Sequence, residues 1–180
     1  MDAYKAITTL RAVRHFTNQP LPEETLTRIL QAGRWTGSAK NVQPWHFIVV
    51  RKRESLERLV GCGRYASHLR GAAAAVIIIT EAHSWAAFDA GRAAQNMMLA
   101  AWTEEVGSCI ATLHDAACAQ GVLGLPPERQ VQAAISFGYR DPEASPTIEG
   151  QPREKILASL GRRSLADLVY WEQWGLREAE

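Results

Sequence analysis

The apolar positions of this chain change period often enough to be read as helices interleaved with strands. Tyr4, Ile7 and Leu10 recur at helical spacing behind Asp2, a residue suited to an N-cap. A first helix is therefore expected to run towards Val13, with Arg11 and Arg14 on one face. Asn18 to Pro22 breaks it, and Leu26, Ile29 and Leu30 after Glu23-Glu24 predict a second helix that Gly33 closes. Thr36 to Trp45 is turn chemistry throughout and reads as an ordered loop. His46 to Arg51 predicts a short buried strand, and Glu54 to Val60 a helix. Ala74 to Thr80 is continuous in its apolarity, which places it mid-sheet with both faces covered. Ser84 to about Glu105 carries apolar residues on almost every side and predicts a central core helix. Gly107–Leu113 and Val131–Phe137 are strand candidates, with a short helix from Asp115 to Gln120 and a stop at Leu125-Pro-Pro127 between them. A connection over 141–152 leads to one more helix, Glu154 to Leu160, and to a tail, Gly161 to Glu180, whose Leu165, Leu168, Val169, Tyr170, Trp171 and Trp174 require burial somewhere. The pattern defines an α+β or α/β arrangement of helices covering a sheet.

Composition narrows the class. A chain of 180 residues with 47% hydrophobic residues suits one domain with a real core. Twenty Lys and Arg against 19 Asp and Glu give a formal charge of +1, so no net field draws nucleic acid or anionic lipid. The start lacks the pattern of a signal peptide and no apolar run approaches a membrane span, so a soluble cytoplasmic protein with no membrane partner is expected. Cys62, Cys109 and Cys118 are odd in number and without zinc-type pairing, which argues for a reducing compartment and against a disulfide scaffold.

Most familiar motifs fail in context. Gly61-Cys-Gly63-Arg-Tyr-Ala66 matches a dinucleotide fingerprint, with Glu81 at the offset of a ribose-binding carboxylate, but a charged, helically spaced segment precedes it where a hydrophobic strand is required. The glycines are better read as closing a helix. His15, His46, His68, His83 and His114 show no ligand spacing, and neither a nucleophile elbow nor a P-loop occurs. Cys109 lies in a strand and should be buried as a small hydrophobe. What remains is cationic: Arg11 and Arg14 near one end and Arg162-Arg163 near the other are either solvated surface or forked donors to a phosphate. Trp45 reads as a strand-entry anchor, Asp89 and Arg92 as an intrahelical pair, Met97 and Met98 as core, and Gln95 and Asn96 as groups serving a dimer or buried backbone.

Four segments in order resemble the FMN-dependent nitroreductase family: Leu10-Arg-Ala-Val-Arg-His-Phe16, the loop from Gly37 through Gln43-Pro-Trp45 to Val50, the helix Phe88 to Leu99, and the close Arg162 to Gly175. The Ser-x-x-Asn-x-Gln-Pro-Trp loop is the most specific. The resemblance implies an α+β fold with a central mixed β-sheet surrounded by helices. It also implies a homodimer with FMN at the subunit interface and a C-terminal extension wrapping the partner.

By the same resemblance Arg11, Ala12 and Arg14 meet the phosphate and the pyrimidine side of the ring, and Arg162 or Arg163 completes the phosphate clamp. Gly37, Ser38, Ala39 and Asn41 line the flavin from the partner chain, chiefly through backbone groups, and Ile110, Ala111 and Thr112 lie near N5 and O4. No catalytic side chain is required, since the chemistry belongs to the flavin, with NADH or NADPH as co-substrate and a nitroaromatic, quinone or related small molecule as acceptor. A same-fold flavoenzyme with another task (dehydrogenation, dehalogenation or flavin breakdown) and a flavin binder without turnover both stay open. Leu10 and Ala12 stand where many relatives carry Arg and Ser, Ala39 replaces a frequent Ser, and no long insertion covers the site, which implies a more open pocket.

Overall fold

The computed structural model describes residues 1–81, 85–144, 155 and 160–176 and separates the chain into two compact units, Met1–Ser145 and Pro146–Glu180. The expected connection over 141–152 and the helix Glu154 to Leu160 fall largely outside the described residues.

In the first unit the chain runs α1 (Ala3–Thr9), α2 (Glu23–Arg34), β1 (Trp45–Val50), α3 (Arg53–Val60), β2 (Ala74–Glu81), α4 (Ala86–Thr103), β3 (Val106–Ala111), α5 (Ala116–Leu123) and β4 (Arg129–Tyr139). The strands form one sheet in the order β1-β2-β4-β3, and each neighbouring pair is antiparallel. The only parallel pairing among the described residues is a bridge from Ala12 to Ser108, so the mixed character expected of the sheet rests on that bridge.

Alternation along the buried strands explains the two cores. Val76, Ile78, Ile135 and Phe137 face Leu26, Ile29, Met97 and Ala101 of α2 and α4. On the other side Ala75, Ile77, Ile79 and Ala134 face Leu56 and Leu59 of α3 and Ala119 of α5. β2 is buried from Ala74 to Thr80, as its unbroken apolar run requires of a strand with two covered faces. Trp45 anchors the entry to β1, and Met97 and Met98 fill the α4 side of the core.

The first helix differs from expectation. Asp2 caps it by accepting from the Lys5 N–H at 2.8 Å, but α1 stops at Thr9 and buries only Ala6, leaving Tyr4 and Ile7 exposed. The residues after it find a better partner than another helical turn: Val13 donates its N–H to the Ser108 carbonyl at 2.8 Å and packs on Gly107. A Cβ on Gly107 would lie 2.7 Å from that of Val13, so only glycine permits the approach. Arg11 and Arg14 therefore sit on a strand-like segment beside β3, not on one helical face.

Three smaller corrections have similar causes. Gly33 lies inside the last turn of α2, which runs on to Arg34. β1 is an edge strand with half-buried Phe47 and Ile48, so its apolar run did not signal full burial. α4 buries one face only, with Trp85 just before it and Phe88 within it exposed.

In the second unit the described tail holds a short helix, α6 (Leu165–Leu168), capped by Ser164 through the Asp167 N–H at 3.2 Å. Tyr170 and Trp174 stack at 4.3 Å between ring centroids, while Leu165 and Trp174 stay exposed.

Candidate functional site

The cationic segment is set by its neighbours. Arg11 is half-buried, and its Nη1 donates to the carbonyls of Thr8 at 3.0 Å and Leu10 at 2.7 Å, which fixes the guanidinium near the C-terminal end of α1. Ala12 is exposed and bridges Ser108. Arg14 is exposed and, among the described residues, has no carboxylate partner, whereas Arg28, Arg51, Arg70, Arg92 and Arg129 each lie within 4.0 Å of one. Arg14 thus forms no structural ion pair among the described residues, and a guanidinium in that state is open to an anionic ligand.

Beneath this segment lies a buried polar cluster that sequence inspection did not find. His68 is 4% exposed; its Nδ1 lies 2.7 Å from Ser136 Oγ, which donates to the Cys109 carbonyl at 3.2 Å. His68 Nδ1 and Ser136 Oγ thus share a hydrogen bond whose donor depends on the tautomer, which leaves Nε2 as the other ring nitrogen. Nε2 is buried and has no hydrogen-bond partner among the described residues, and the same holds for Oγ of Ser108, the residue opposite Ala12. Burial pushes the His68 pKa down to about 4, with the Arg14 charge adding to the effect. Burial raises the Cys109 thiol, which Arg14 partly offsets, so this free cysteine is a poor nucleophile as well as a packed one. No sequence signal announces the cluster, because His68, Cys109 and Ser136 belong to three distant elements.

The loop after α2 is ordered, as its composition suggests, but by a device from another helix. Lys40, Asn41 and Gln43 all have positive φ, at 50°, 56° and 51°. Ser38 Oγ accepts from the Gln43 N–H at 2.8 Å, and Asn96 Nδ2 donates to Thr36 Oγ1 at 2.8 Å. The Ala39 N–H donates to Asp89 Oδ2 at 3.2 Å, while Arg92 Nη1 lies 3.4 Å from Oδ1 of the same carboxylate. Asp89 and Arg92 are therefore an intrahelical pair with a second task, since Asp89, 2% exposed, pins the loop. One backbone donor expected to face a ligand is already used; the exposed Asn41 and Gly37 remain on the outer side. Replacing Asp89 by Ala should cost about 1–3 kcal/mol in urea unfolding, because the Ala39 N–H loses its acceptor. Asp89→Asn, which keeps an oxygen there, should cost clearly less, and equal losses would show that this hydrogen bond does not matter.

The last predicted segment follows β3. Ile110 is exposed on the strand, Ala111 is buried and Thr112 is exposed just beyond it. A Cβ on Gly63 would approach the Thr112 carbonyl to 2.7 Å, which explains that glycine by packing. Gly61 ends α3, so a helix precedes the apparent fingerprint, and Glu81 is paired with Arg129 at 2.9 Å. In the second unit, Arg163 Nη2 donates to the Asp167 carbonyl at 2.7 Å, and Arg162 is exposed.

The cysteine expectation is overturned. Cys62 and Cys118 form a disulfide, with Cα atoms 5.4 Å apart, and Cys109 alone is free. The partners are separated by 56 residues, so the odd count and the spacing gave no sign of the pairing.

An exposed cation beside a sheet edge and a braced polar loop suit a flat cofactor with an anionic end. The sequence and fold agree with that. The model of the nitroreductase family matches residues 7–69 and 62–139, and the chain belongs to this family. A relative from Methanothermobacter thermautotrophicus, provisionally named NADH dehydrogenase/NAD(P)H nitroreductase, is 35% identical over 60% of this chain and 59% of its own length. One from Archaeoglobus fulgidus with the same name is 30% identical over 77% of this chain and 85% of its own. A solved structure from Desulfovibrio desulfuricans, provisionally named a nitroreductase and in complex with FMN, superposes with a TM-score of 0.79 at 27% identity, covering 97% of this chain and 99% of that one.

Proposed function

We propose that this protein is an FMN-dependent oxidoreductase that uses NADH or NADPH to reduce nitroaromatic, quinone or related acceptors. The observation that carries the proposal is Arg14, without a carboxylate partner among the described residues, beside the braced Arg11 on a segment fixed against β3 by Val13 and Gly107. The chemistry FMN supplies when bound is acceptance of hydride from a reduced nicotinamide and delivery of two electrons to an oxidised acceptor.

The residues bind and tune. Arg11 and Arg14 hold the anionic end and place positive charge beside the ring, which favours its electron-rich form, with Arg162 or Arg163 as a further cation. Asp89 keeps Gly37 to Asn41 in one shape, so that this loop is presented ready-made. Ile110, Ala111 and Thr112 lie near N5 and O4 of the ring, where backbone N–H groups can donate. Solvent supplies protons, and no side-chain acid is needed.

A homodimer completes the proposal. Trp35, Phe88 and Ile110 expose apolar area on the first unit, and a second copy of the chain covers it; the loop and the cationic segment then meet across the interface, and the tail wraps the partner. Among the described residues no helix is long and apolar enough to cross a membrane, in keeping with a proposed cytoplasmic location.

Anaerobic addition of NADH or NADPH to the FMN-loaded protein should bleach the flavin, and a nitroaromatic or quinone should restore it. A flavin that binds but is reduced by neither nicotinamide would leave only a flavin store or sensor. Deleting residues 161–180 should yield monomer or aggregate in sedimentation, and an unchanged flavin-loaded dimer would refute the wrapping tail.

A further inference from the structure

We propose that Cys62–Cys118 is a reversible redox switch that sets the shape of the flavin-facing segment after β3. Three ties join the end of α3 to this segment. The disulfide is one. The Cys62 carbonyl accepts from the Asp115 N–H at 3.0 Å, and Asp115 Oδ1 in turn accepts from the Cys118 N–H at 2.9 Å. Gly63 packs against the Thr112 carbonyl so closely that no Cβ fits between them. Thr112 is therefore six residues from Cys118 along the chain and in contact with the neighbour of Cys62. That is the segment which the proposed function puts against the ring, and the coupling to FMN rests on that reading.

The two sulfurs differ in access. Cys62 is 1% exposed and belongs to the lining of a solvent-open depression with Gly63, Arg64, His114 and Asp115, whereas Cys118 is half-buried, so more of its surface is open to a reagent. An incoming dithiol attacks at Cys118: its thiolate bonds to the Cys118 sulfur, the S–S bond breaks, and Cys62 leaves and takes a proton. The second thiol of the reagent then displaces Cys118, so that two electrons and two protons reach the protein and the reagent becomes a cyclic disulfide. The released Cys62 thiol has an acceptor in place, since its sulfur lies 3.5 Å from the Arg58 carbonyl. In the reducing compartment that the proposed location implies, a disulfide is ordinarily transient or redox-sensing, and here its partners stand 56 positions apart with β2 and β3 between them.

The test uses the full-length protein, oxidised or treated with dithiothreitol. Mass spectrometry after alkylation should find one modifiable cysteine, Cys109, in the oxidised protein and three after reduction; a protein that never contains the Cys62–Cys118 linked peptide overturns the proposal. FMN titration of the flavin-free protein should give about tenfold weaker binding after reduction. Cys118→Ser should match the reduced form with or without dithiothreitol. Equal affinity in both states, within about twofold, overturns the coupling. Hydrogen exchange of residues 112–118 separates this idea from the flavin reading. If no FMN binds in either state, faster exchange on reduction still supports the switch, and unchanged exchange sinks it.

Discussion

Replacing Arg11 and Arg14 together by Ala should weaken FMN binding by at least about a hundredfold while changing riboflavin binding by less than about threefold. The two ligands differ in the phosphate, so the comparison isolates the anionic end. Each charge-assisted hydrogen bond to a phosphate oxygen is worth about 1.5–3 kcal/mol, and losing two of them gives about 3–6 kcal/mol. The variants should fold: Arg14 has no carboxylate partner among the described residues, and the bonds of Arg11 run to the Thr8 and Leu10 carbonyls beside it in sequence. Fluorescence titration of the flavin-free protein with both ligands measures the ratio. Equal losses for FMN and riboflavin would show that these guanidinium groups do not hold phosphate.

The second large effect concerns pH. The folded protein keeps His68 neutral down to about 4, while in the unfolded chain it takes up its proton near 6.5. Between those values the unfolded state binds the additional proton, so stability rises with pH across the window, is complete above 6.5 and is lost as pH falls towards about 4. The full span corresponds to about 3 kcal/mol. Urea unfolding of the flavin-free protein across this range should show that slope, and His68→Gln should lose it even if the variant is less stable throughout. An identical pH dependence in both proteins would mean that the imidazole is solvated in the folded state.

The elements were legible where local chemistry decided them. The unbroken run of β2, the Asp2 cap and the Trp45 entry to β1 depend on neighbours in sequence, and each appears as read. The end of α1 was not legible, because it depends on Gly107, a residue almost a hundred positions away whose missing Cβ admits Val13. The candidate site divides in the same way. Its loop and arginines could be named from spacing and resemblance, yet their support could not. Asp89 looked complete as a partner for Arg92 and also holds Ala39, while His68, Ser136 and the Cys109 carbonyl meet only through the sheet. The Cys62–Cys118 bond was hidden for the same reason, since pairing follows three-dimensional proximity.

A crystal structure of the FMN-reconstituted protein tests the central claim most directly. The expected result is FMN between two protomers, with its phosphate on Arg11 and Arg14 of one chain and the 37–41 loop of the other against its ring. Both guanidinium groups facing bulk solvent, with the flavin elsewhere or not bound, would contradict it.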